Sequence, residues 1–153
     1  MNFPNSLDTP SRPVLSVMSG TSGQPTANAA GAPLLLVVDD DQHAKEGLAE
    51  FLLAQGYRVS EAKDGAEALS KVEAYRPSVV LLDLALPGMD GWSVTRRLRS
   101  DDRFTRLPVI AMSWLDYPDE VGRAFEAGCN AFLPKPVDLG RLVSLIEHVM
   151  DLE

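Results

Sequence analysis

From residue 34 onward the chain alternates between two patterns. Short apolar or β-rich runs occur at Leu34–Val38, Tyr57–Val59, Val79–Leu82, Val109–Met112 and Ala131–Leu133. Runs of this length bounded by polar clusters predict strands buried on both faces. Between them lie segments with apolar residues three and four apart. Ala44, Leu48, Phe51 and Leu52 form the first such stripe, and Leu139, Leu142, Val143, Ile146 and Val149 the last. A stripe at that spacing buries one face of a helix. Boundary residues agree. Gly56 and Gly128 stand where glycines follow a helix C-cap. Asp64 with Glu67 has the spacing of a capping box, and Asp138 and Asp41 are N-cap candidates for the fifth and first helices.

Five strands alternating with five helices predict an α/β fold: a doubly wound, five-stranded parallel sheet covered on both faces. Right-handed crossovers restrict its topology, and the expected order is 2-1-3-4-5, the flavodoxin-like (βα)5 arrangement. Sheets of this kind place their site beyond the carboxyl ends of the strands, where strands 1 and 3 diverge. The first 32 residues read differently. The stretch "SGTSGQPTANAAGAP" offers almost nothing to bury and predicts a flexible tail over residues 1–32, with one domain over 33–153.

Composition narrows the chemistry. The net charge of −8 argues against nucleic acid and anionic membrane as partners and suits cations or a basic protein patch. One cysteine, Cys129, excludes an internal disulfide and reads as a small buried residue beside a turn. No apolar run reaches spanning length and no signal peptide is legible, so the cytoplasm is the expected location.

The carboxyl edge of the expected sheet carries the polar residues. Strand 1 runs into Asp39, Asp40 and Asp41, strand 3 ends at Asp83, strand 4 at Ser113, and strand 5 is followed by Lys135. Each has a bland reading alone, as a cap, a turn or ordinary surface. Converging at one edge, they make chemical sense together. Close carboxylates repel and stay ionised together only around a cation. Oxygen ligands with few protein contacts suit Mg2+, which keeps water and shares phosphate oxygens. A lysine opposite offers a compact positive charge to a phosphoryl oxygen, a hydroxyl adds a hydrogen bond, and one carboxylate can attack phosphorus.

The stretches "LLLVVDDD", "VVLLDLALPGMDGW", "VIAMS" and "NAFLPKPVD", in that order, resemble the receiver domain of two-component response regulators over about residues 33–152. The resemblance implies that Asp83 accepts a phosphoryl group and that Asp39, Asp40, Asp83 and the backbone carbonyl of Ala85 surround Mg2+, Asp40 directly and Asp39 through water. It implies that Lys135 binds the phosphoryl group, that Ser113 and Phe132 are the switch residues, and that the Lys135–Pro136 bond is cis. The implied partners are a histidine kinase or histidine phosphotransfer protein and a downstream protein target, docked on the face of helix 4, strand 5 and helix 5. The chain stops just after the fifth helix, so a stand-alone docking regulator is expected rather than an enzyme with external substrates. A phosphatase with an aspartate nucleophile usually has a second acid two residues later, where Ala85 stands. A receiver-like interaction module that is never phosphorylated is the alternative. Two aromatic residues stand out. Trp92 reads as a packed residue of helix 3. Trp114 follows Ser113 where the family usually has a small residue, and is expected either to lean over Asp83 and tune access to it or to face outward for docking.

Overall fold

The alternation folds as a parallel α/β sheet. The structure is a computed structural model that describes residues 31–114 and 118–151. The strands are β1 (Leu34–Val38), β2 (Arg58–Ala62), β3 (Val79–Asp83), β4 (Val109–Ser113) and β5 (Ala131–Pro134). The helices are α1 (Gln42–Ala54), α2 (Gly65–Tyr75), α3 (Gly91–Arg99), α4 (Pro118–Ala127) and α5 (Leu139–Asp151). The sheet order is β2-β1-β3-β4-β5, all parallel, as the alternation predicts. The tail expected over residues 1–32 lies almost wholly outside the described residues.

Period two explains the unbroken apolar runs. Alternate strand residues serve opposite faces, and helices cover both. Leu36, Val38, Val80, Leu82, Val109 and Ala111 pack in one core with residues of α2, α3 and α4, among them Val72, Leu98 and Ala124. Leu35, Val37, Val79, Leu81, Ile110 and Met112 pack in the other with residues of α1 and α5, among them Leu52, Leu142 and Ile146. Trp92 belongs to the first core, nearly buried at 9% exposure.

The helix ends follow the local chemistry. Asp41 accepts from the amides of His43 and Ala44. Asp64 accepts from Glu67 at 2.8 Å while the Glu67 carboxylate accepts from the amide of Lys63 at 2.8 Å, so each side chain satisfies one orphan donor. Asp138 accepts from Arg141. Gly56 and Gly128 follow α1 and α4 at φ of 99° and 113°, a conformation that a β-carbon penalises.

Three details differ from the periodic reading. Ala44 is exposed, and the buried face of α1 is instead Lys45, Ala49, Leu52 and Leu53. Lys45 is buried at 4% exposure although its charge class hides it from a search for apolar residues, and its ammonium acts on the Glu61 carboxylate. Leu139 opens α5 at 41% exposure and does not join the buried stripe of Leu142, Ile146 and Val149. β2 runs three residues further than expected, because an edge strand alternates polar with apolar positions and carries no continuous apolar run.

Candidate functional site

Two neighbouring strands, β1 and β3, deliver the carboxylates. Val38 pairs with Leu82, so Asp39 and Asp83 leave the sheet side by side. The side chains are nearly buried, with Asp39 at 4% and Asp83 at 5% exposure, whereas Asp40 is exposed. One carboxylate oxygen from each of Asp39, Asp40 and Asp83 lies within 4.8 Å of the others. β5 brings the countercharge. The amide of Lys135 donates to the Ser113 carbonyl at 2.8 Å, which extends the β4–β5 ladder and aims the lysine back across the sheet edge. Its Nζ donates to Asp39 Oδ2 at 2.9 Å and to Asp83 Oδ2 at 3.2 Å. The Lys135–Pro136 peptide is cis.

The remaining carboxylate oxygens are held by the backbone. Asp39 Oδ1 accepts from the amide of Asp41 at 2.9 Å, and Asp83 Oδ1 accepts from the amide of Ala85 at 3.0 Å. The loop after β3 is fixed from behind by Gly91, which opens α3. Its amide donates to the Leu84 carbonyl, and a β-carbon there would lie 2.7 Å from Leu84 Cα and 3.0 Å from the Asp83 carbonyl oxygen. Sequence reading passed over both Gly91 and the amide of Ala85. The "DGW" at a helix start was the available signal for the first, but a backbone amide leaves no trace in residue type.

Electrostatics at the site are unbalanced. Burial raises the Asp83 carboxyl above the ordinary range, the Asp39 charge adds to that, and the Ala85 amide and Lys135 oppose it. Burial works to lower the Lys135 ammonium, but the Asp39 hydrogen bond and both carboxylate charges outweigh it, and the net shift is upward. Three carboxylates face one lysine. The donor set is hard oxygen, one acid is solvent-facing, and the excess is negative, which fits a small divalent cation that retains water.

The other expected residues fall as follows. Ser113 ends β4, buried, in register with Pro134. Phe132 lies on edge strand β5, half-buried, packed against the core that α2, α3 and α4 cover. Ala85 is exposed beside Asp83. Trp114 is 67% exposed at the start of the segment 115–117, which lies outside the described residues.

A doubly wound sheet with an acid cluster and a lysine gathered at its β1–β3 switch point defines a response-regulator type of α/β protein. The family model for the response regulator receiver domain matches residues 35–147, and the chain belongs to that family. It is 40% identical over 118 residues to the response regulator MprA of Mycolicibacterium vanbaalenii, covering 76% of this chain and 49% of that protein. The chain thus spans about half the length of the relatives it matches in this way. Among solved structures it is similar to a Chloroflexus aurantiacus protein described as a response regulator, at 32% identity and a TM-score of 0.76 over 78% of this chain and 98% of that one. It is also similar to the receiver domain of the sensor histidine kinase PA1611 of Pseudomonas aeruginosa, solved with a magnesium ion coordinated in its active site cleft. There the identity is 28% and the TM-score 0.74, over 79% of this chain and 99% of that one. Receiver domains bind Mg2+ at an acidic site, and the cluster of Asp39, Asp40 and Asp83 is the corresponding group of acids here. Among the described residues no helix is long and apolar enough to cross a membrane.

Proposed function

We propose that residues 33–153 form a phosphorylatable receiver in which Asp83 accepts a phosphoryl group from a histidine kinase or histidine phosphotransfer protein. One observation carries this reading. Lys135 Nζ bonds Asp39 and Asp83 at once, inside a group of three carboxylates at the switch point. That arrangement is poor for stability and well suited to moving a phosphoryl group.

In this reading the Asp83 carboxylate attacks phosphorus, a P–O bond forms, and the P–N bond to the donor imidazole breaks. The imidazole leaves with the electron pair and takes up a proton. Mg2+, held by Asp40 directly, Asp39 through water, Asp83 and the Ala85 carbonyl, would neutralise the phosphoryl oxygens. The Ala85 amide fixes one Asp83 oxygen and leaves the other, now on Lys135, to react. Phosphorylation then offers Lys135 a doubly charged partner in place of two carboxylates. Ser113 supplies a hydrogen bond from β4. Phe132, lacking a hydroxyl, responds by packing, and the change is read on the face formed by α4, β5 and α5. Trp114, 67% exposed directly after Ser113, has two candidate roles, screening Asp83 from small donors and water or docking a partner, and the labelling rates of its alanine variant separate them.

Incubation with Mg2+ and a small acyl phosphate tests the assignment. Wild type gains one hydroxylamine-labile phosphoryl group and Asp83→Asn gains none. Screening requires that Trp114→Ala is labelled faster and loses the label faster, with Mg2+ affinity unchanged. Normal labelling of Asp83→Asn rejects the acceptor. No labelling of wild type, with partner docking intact, leaves the interaction module. Rates for Trp114→Ala within about twofold of wild type make the indole a docking residue, since screening a reacting group ordinarily changes rates by larger factors.

A further inference from the structure

A second concavity lies at the opposite end of the sheet from Asp83. The turn before β3 supplies Arg76 and Pro77, and the segment before β4 supplies Arg103, Phe104, Arg106 and Leu107, around about 300 Å3. β3, five residues long and ending at Asp83, runs from this turn to the acid cluster, roughly 16 Å of strand. Phe104 is the buried floor, at 6% exposure. The guanidinium carbons of Arg76 and Arg103 lie 5.2 and 4.9 Å from its ring centre.

Two cations over one ring repel each other, so the compensation each receives matters. Arg103 is compensated, by Glu73 at 2.9 Å and Asp101 at 2.7 Å. Arg76 spends its Nε–H on the Glu73 carbonyl at 3.2 Å. Among the described residues neither Arg76 nor Arg106 has a carboxylate within ion-pair distance. In a chain of net charge −8, two guanidinium groups that lack a carboxylate at ion-pair distance therefore border one cavity. A guanidinium fork matches phosphate oxygens bidentately, and its flat face stacks on rings. Pro77 and Leu107 supply apolar wall, and the volume sits at the small end of ligand pockets.

We propose that this pocket binds a small phosphomonoester carrying a flat ring, the chemistry of a nucleoside monophosphate. Arg76 and Arg106 take the phosphate and the ring lies on the Arg76 plane and Leu107. The site is independent of the acid cluster, so its test runs without Mg2+ and with chelator, where Asp39, Asp40 and Asp83 repel anions.

Backbone amide spectra are recorded while AMP, adenosine or inorganic phosphate is added. AMP shifts the amides of Arg76, Ser78 and residues 103–107, saturating below millimolar concentration, and either half-ligand binds more weakly. Arg76→Gln and Arg106→Gln each weaken AMP by about tenfold or more, as loss of a charge-assisted fork does. Arg106→Lys keeps the charge, loses the fork, and also weakens it. Among the described residues the Arg106 side chain is exposed and has no ion pair, so its variants keep the wild-type melting temperature. No saturation by AMP overturns the proposal, as do equal affinities in the arginine variants or shifts confined to Asp39, Asp83 and Lys135. Inorganic phosphate binding as tightly as AMP overturns the part played by the ring.

Discussion

Two polar networks, the one around Arg99 and the one around Lys135, lie at opposite ends of the sheet and are built on opposite plans. At the amino end, Arg99 on α3 donates to the Gly128 carbonyl at 3.0 Å, the Phe104 carbonyl at 2.9 Å and Asn130 Oδ1 at 3.0 Å. Asn130 Oδ1 accepts in turn from the amide of Val109 at 2.9 Å. One cation ties two connecting segments and the start of β4 to a helix, with neutral acceptors throughout. At the carboxyl end, three acids crowd one lysine. The first arrangement removes unsatisfied groups. The second gathers charge that folding alone gives no reason to gather. A polar network that balances belongs to the scaffold, and one that does not points to a ligand.

The sharpest way to break this comparison is to truncate one residue at each end. Arg99→Ala strands carbonyls in partly buried positions and costs about 2 kcal/mol or more of unfolding free energy. The Mg2+-induced rise in stability stays as in wild type. Asp40→Ala does the reverse. It leaves metal-free stability within about 0.5 kcal/mol and removes most of the gain from Mg2+, which linkage puts at roughly 2.7 kcal/mol at a hundredfold excess over the dissociation constant. Denaturant titrations with and without Mg2+ measure all four numbers. Loss of the Mg2+ response in Arg99→Ala would show that the two ends are not separable.

Gly91→Ala addresses the seam between the two plans. Its β-carbon meets backbone at 2.7 Å, and backbone cannot step aside as a side chain can. Overpacking of that kind costs about 1–3 kcal/mol. The displaced stretch carries Ala85, so both stability and Mg2+ affinity fall. A stability loss with unchanged Mg2+ affinity means the strain is relieved on the α3 side.

The smallest effect expected is a pH dependence at Cys129. Burial raises its thiol, against opposing contributions from the Thr95 hydroxyl and Arg99. A raised folded value means the folded chain keeps its proton while the unfolded chain loses it. The contribution is fully present below the unfolded value, about 8.5, and declines as pH rises toward the folded one. Wild type therefore loses stability above about pH 8.5 more steeply than Cys129→Ala does. Equal slopes would assign the alkaline loss elsewhere, for instance to Tyr57, which burial also raises.

Periodicity made the fold legible because both sheet faces are covered and the strands are nearly continuous apolar runs. It failed where that condition lapsed, at edge strand β2 and at Lys45, whose stem is apolar although its class is not. The acids and lysine were legible as residue types at strand ends. What residue type cannot carry is the backbone's share. The Ala85 amide on Asp83, the Asp41 amide on Asp39 and the Gly91 contact with Leu84 all arise from chain path. The arginine pocket was equally silent, because its residues come from two separate connections and gain meaning only by sharing Phe104.

The ion pairs of Lys135 span 96 positions to Asp39 and 52 to Asp83. Contacts so distant along the chain require the intervening loops to close first. A chain growing from its amino end thus carries its acids before it carries its lysine. Under the role proposed for Lys135, competence is thereby a test of assembly: an intermediate without β5 in place, however well its first strands have paired, lacks the group assigned to the incoming phosphoryl.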